Sequence, residues 1–100
     1  MKRVEIIISQ AIEADFEEGY LKECKKLKTS CKFTKITNVE GQGNSNPKLG
    51  NSIWPQLNSI YVIYCDEVLL EKIQQVLLEV NKNYPGEGAA AFVTDAEILV

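Results

Sequence analysis

The chain has one hundred residues, 45% apolar and 25% charged, which is ordinary for one soluble globular domain with a single core. Its net charge of −3 argues against a nucleic-acid surface, which needs a clustered basic excess, and its lack of histidine argues strongly against a His-based triad or a zinc site. No stretch is long and apolar enough for a bilayer or a signal-peptide core, and three cysteines without a C-x-x-C pair suit reduced thiols, so a cytoplasmic protein is expected.

Lys2–Ser9 reads as a first strand, with Val4, Ile6 and Ile8 on one face and Glu5, Ile7 and Ser9 on the other. Ile7 makes the second face partly apolar, so this strand is expected at the centre of a sheet and largely covered. Asp15 is placed to cap a helix, with Glu18 completing a capping-box-like start. Phe16, Tyr20, Cys24 and Leu27 then form one helical stripe toward a core, and the helix is expected over 16–28. Lys22, Lys25, Lys26 and Lys28 alternate with Glu17, Glu18 and Glu23, as on a solvated helix face.

A second strand is expected over 33–40. Its apolar residues Ile36 and Val39 are three apart, which breaks strict alternation; either a β-bulge near Thr37–Asn38 or a twist at a sheet edge accounts for it. The strand leads through Gly41 and Gly43 into a loop from Asn44 to Pro55, long enough in so small a domain to suggest a binding role. Ile53 and Trp54 are out of character there. Trp54 either packs back on its own domain or anchors an interface.

Leu57–Cys65 reads as a third strand rich in β-branched and aromatic residues. Asp66 starts a second helix, in which Leu69, Ile73, Val76, Leu77 and Val80 recur at helical spacing to about Asn81. Asn83-Tyr-Pro-Gly-Glu-Gly88 is a turn, Ala89–Thr94 a fourth strand, and Glu97–Val100 a candidate short terminal strand. The order β-α-β-β-α-β over 1–100 predicts an α+β ferredoxin-like sandwich, an antiparallel sheet with two helices on one face.

Ile36-Thr-Asn-Val-Glu-Gly-Gln-Gly43 resembles the junction of strand and T-loop in the PII signalling proteins, which reads roughly V-T-x-V-x-G-x-G. The opening strand Met1–Ile8 is similar to theirs, and Gly86-Glu-Gly88 looks like their B-loop, G-D-G-K. The resemblance implies a homotrimer that binds a small effector at subunit clefts, such as ATP, ADP, AMP or a cyclic nucleotide. It also implies that a T-loop-like segment, residues 42–56, engages a membrane transporter or enzyme. It assigns the effector to Thr37, Gly41, Gln42, Gly43, Gly86, Glu87 and Gly88, and the partner-binding loop to Lys48 and Trp54. Backbone N–H groups in such glycine loops suit anions.

The chain departs from the pattern in its charges. Ala89 stands where the family has its B-loop lysine, Asn44 and Ser45 stand where it has Arg-Gln, and the residues to Val100 include no basic tail. Lys35, Lys48 and Lys82 are the basic residues nearest the loops, none at a family position. The loop is shortened and holds no tyrosine between Gly43 and Leu57, so nucleotidylation there is not expected.

Two other classes of function compete. A trimeric ion-binding protein similar to the CutA group would use Glu40 and Glu87 on a hard cation, because Cys24, Cys31 and Cys65 match no zinc spacing. An enzyme would need paired carboxylates, and Glu17/Glu18, Asp66/Glu67 and Asp95/Glu97 have no visible catalytic partner. No catalytic residue, metal ligand or nucleic-acid contact is assigned.

Overall fold

A computed structural model describes all residues 1–100. The elements are β1 (Lys2–Ser9), α1 (Glu13–Lys26), β2 (Thr34–Val39), β3 (Asn58–Cys65), α2 (Glu67–Asn83) and β4 (Ala89–Asp95). One four-stranded antiparallel sheet has the order β2-β3-β1-β4, and both helices lie on one face. This is the ferredoxin-like sandwich that the element order predicts.

Alternation along the strands sets the core. Val4, Ile6 and Ile8 of β1 and Tyr61, Ile63 and Cys65 of β3 are buried beneath Phe16, Tyr20 and Cys24 of α1 and Leu69, Ile73, Leu77 and Val80 of α2. Burying a side chain such as Phe16 contributes about 1.5–3 kcal/mol. Phe16 stacks on Tyr20 at 5.7 Å and meets the Tyr61 ring edge-on at 5.1 Å. The Tyr20 hydroxyl donates to Lys32 O at 2.6 Å, which ties the α1–β2 turn to the core. Where the helices cross, a Cβ on Gly19 would lie 2.7 Å from Val76 Cγ1, so the missing side chain permits the approach.

Asp66 caps α2 as expected, accepting from Leu69 N at 2.8 Å. The start of α1 differs. Ile12, not Asp15, occupies its N-cap, without a side-chain cap bond. Burial of Ile12 and the local bonds Ile12 N–Ser9 O and Ala11 N–Ser9 Oγ fix the entry, so Asp15 falls within the first turn. The helix also ends earlier than expected, because Lys28 takes a left-handed φ of 54° while Thr29 N reaches back to Cys24 O. Residues 97–100 form no strand; the last tie is Ala96 N to Met1 O, and Ile98, Leu99 and Val100 are exposed.

β2 carries both features weighed for it. It is an edge strand, and its register to β3 shifts between Ile36 and Val39, where Asn38 has φ 58°. β1 is central as expected, but no layer packs on its second face, where Arg3, Glu5 and Ile7 are half-buried and only the loop after β2 overhangs one end. There Ile36, Ile60, Ile7 and Ala90 align across the four strands, beside a row of Thr34, Val62, Glu5 and Phe92. Ile36 is 50% and Phe92 60% exposed, an apolar surface left open to solvent.

Candidate effector site

The loop after β2 is held by backbone bonds. Gly41 and Lys48 form an isolated antiparallel bridge with both N–H···O distances 2.8 Å, closing residues 42–47 into a small loop. A second turn follows: Asn51 N donates to Trp54 O at 3.0 Å, and Asn51 Oδ1 accepts from Ile53 N and Trp54 N at 3.0 and 2.7 Å. Asparagine suits this role because its carbonyl can mimic a backbone acceptor. Trp54 lies between the two alternatives weighed for it, at 37% exposure, while its neighbour Ile53 is 76% exposed.

The small loop leans over the start of β4, and together they enclose a cavity of about 470 Å³. Gly41, Gln42 and Gly43 line it from one side and Gly88, Ala89 and Ala90 from the other, with Ile7, Asn58, Ile60 and Phe92 as its floor. The glycines give space rather than unusual backbone. Only Gly50 has a positive φ, 65°, whereas a Cβ on Gly41 would fall 2.5 Å from Asn58 Nδ2 and one on Gly88 3.6 Å from Ser45 Oγ. Gly88 is held from behind by Ser9 N, which donates to its carbonyl at 3.3 Å.

Lys48 is the cavity's one basic residue. Its side chain, expected on the outer loop, is only 5% exposed. The ammonium donates to Asn46 O at 2.8 Å and lies 3.3 Å from Glu87 Oε2. That carboxylate oxygen is buried and accepts no hydrogen bond, so the pair is a charge contact alone. Glu40 also lines the cavity.

Of the other expected effector residues, Thr37 is exposed on β2 and Gly86 on the turn, and neither lines the cavity. Lys35 is engaged elsewhere, 3.2 Å from Glu13 and 3.4 Å from Glu17, with its ammonium 5.3 Å from the Tyr61 ring centre. Burial opposes the charge on Lys35, but Tyr61 and Glu13 outweigh it and raise its pKa well above the ordinary lysine value. Lys82 is exposed in the last turn of α2. No three Cys, Asp or Glu side chains converge as metal ligands, and no helix is long and apolar enough to cross a membrane.

Sequence reasoning missed the cavity floor. Alternation places Ile7 on the second face of its strand, whereas Ile60 reads only as part of an apolar run and Phe92 carries no facing signal; the strand order brings the three together. Asn58 carried no signal, because its role depends on the register shift opposite Val39.

The four-stranded sheet with both helices on one face has the fold of solved PII-like proteins. Over 97% of this chain and 86% of the other, it matches CPII, a nitrogen regulatory PII-like protein from Thiomonas intermedia K12, with TM-score 0.69 and 18% identity; that protein was solved with ADP, AMP and bicarbonate. A second structure of CPII, bound to ADP and bicarbonate, gives the same 0.69 and 18% over the same shares of both chains. A protein of Thermus thermophilus described as PII-like and signalling matches at TM-score 0.53 and 23% identity, over 93% of this chain and 83% of that one. No protein-family model and no curated protein matches the sequence.

Proposed function

We propose that this chain is a cytoplasmic PII-like regulatory protein that binds an adenine nucleotide and passes its occupancy to a partner through residues 42–56. The observation that carries the reading is the cavity in which Gly41–Gly43 and Gly88 face one another. Backbone amides at such a junction suit phosphate, and the nucleotides bound by CPII favour the same class of ligand here. The floor of the cavity is part of the open sheet face, through Ile7, Ile60, Ala90 and Phe92. A homotrimer joined on that face would wall the cavity with a second subunit, making it an inter-subunit cleft.

Signalling then needs no chemistry. A ligand that favours one arrangement of the loop shifts its population, and the partner, a membrane transporter or enzyme, reads that shift. Ile53 and Trp54 supply an apolar tip for the contact. Isothermal titration of the purified protein with ATP, ADP, AMP and cyclic AMP tests the reading. Saturable binding of at least one is expected, and no heat or competition from any of them overturns it.

A further inference from the structure

The unusual element of the cavity is a buried lysine that spends its charge on a neighbouring loop. An ammonium has three N–H donors, and Lys48 uses one, on Asn46 O. Its charge partner, Glu87 Oε2, is 3.3 Å away, buried and without a hydrogen bond. A buried polar atom without a partner is costly. The two groups therefore come from the two loops that form the cavity, and each has capacity left over.

We infer that Lys48 is the anion-recognition residue of this cavity and that Glu87 is its built-in competitor, displaced when an anionic ligand binds. This rests on the nucleotide reading and narrows it. One cation stands against two carboxylates, Glu87 in contact and Glu40 in the lining, so the cavity favours a ligand with a single phosphate over a triphosphate. A nucleoside monophosphate is the matching class. Because Lys48 also pairs its backbone with Gly41, an ammonium that turns from Glu87 to a ligand moves the base of the 42–47 loop.

The experiment measures AMP, ATP and adenosine affinities for the wild-type chain, Glu87→Gln and Lys48→Met. Wild type is expected to bind AMP more tightly than ATP. Removing the competitor in Glu87→Gln should tighten AMP roughly tenfold, and Lys48→Met should weaken it by about ten- to a hundredfold, the worth of a charge-assisted hydrogen bond. Adenosine should respond to neither change. Tighter binding of ATP than AMP, or an AMP affinity indifferent to both substitutions, overturns the inference while leaving nucleotide binding intact. If wild type binds no nucleotide, the functional reading fails by itself. Titration with inorganic phosphate then decides, read by NMR at the Lys48 ammonium and at the Gly41 and Gly88 amides. A response that strengthens in Glu87→Gln sustains the inference, and none in either protein ends it. Thermal melts of both variants confirm that they are folded.

Discussion

The side-chain amide of Asn81 clasps the backbone of Ala89 on both sides, donating from Nδ2 to Ala89 O at 3.0 Å and accepting from Ala89 N at 2.9 Å. The last turn of α2 thus fixes the residue directly after Gly88, where β4 begins. Asn81→Ala should cost about 1–2 kcal/mol in urea unfolding, the sum of two modest hydrogen bonds. Asn81→Asp keeps the acceptor and loses the donor, so roughly half that loss is expected. Both variants should bind AMP more weakly than wild type, because the wall carrying Gly88 is looser.

Gly50 and Gly43 predict opposite outcomes for the same substitution. Gly50 has φ 65°, and an added Cβ would sit 2.9 Å from Leu57 Cδ2. Gly50→Ala should therefore destabilise by about 1–2 kcal/mol. Gly43 has no atom within 4 Å of the added Cβ and no positive φ. Gly43→Ala should be neutral, or stabilising by up to about 1 kcal/mol through a stiffer unfolded chain. Thermal unfolding of the two variants separates them.

The open sheet face gives a test of assembly. In sedimentation, the wild-type chain is expected at three times its 11.2 kDa monomer mass. Phe92 is 60% exposed in the single chain, in the row beside Ile36, Ile60, Ile7 and Ala90. Phe92→Lys should leave the helical circular dichroism unchanged and shift the mass to the monomer. A wild-type monomer at micromolar concentration would rule out the inter-subunit cleft.

The thiols should be unreactive in the folded chain. Cys31 is pushed up to about 11, first by burial and then by the neighbouring Cys24 thiol. Cys24 and Cys65 are buried, and burial raises the Cys65 thiol as well. At pH 8 only about one Cys31 in a thousand is thiolate, the reactive form. Iodoacetamide should label the native protein slowly and all three cysteines quickly in urea. Labelling of native Cys31 should accelerate as pH rises toward 11.

Much of the fold was legible because its signals are local. The alternation Val4-Ile6-Ile8 and the helical spacing Leu69-Ile73-Leu77-Val80 reappear as buried faces, and Asp66 caps α2 as its position suggests. The irregular spacing of Ile36 and Val39 also marked a real shift in register. Boundaries set by tertiary anchors were hidden. Ile12 starts α1 because it is buried, and Lys28 ends it in a conformation that no lysine advertises. The cavity was half legible: its glycines stand out in the sequence, but none of the residues around Lys48 tells that its side chain turns inward to Glu87, thirty-nine positions on.

The pairing of Lys2 with Asp95 and of Ile8 with Ala89 fixes how this chain can be made as well as how it stands. β1 has β3 on one side and β4 on the other, so its partners lie 49 to 63 and 81 to 93 residues away. Such long-range closure slows folding relative to a helical bundle of equal size. On the ribosome, β1 emerges with neither neighbour, can pair with β3 only after residue 58 is out, and gains its second edge only when residue 95 has cleared the exit tunnel. Until then its exposed Val4, Ile6 and Ile8 have no complete core to enter, which makes the nascent chain, rather than the folded protein, the form most in need of a chaperone.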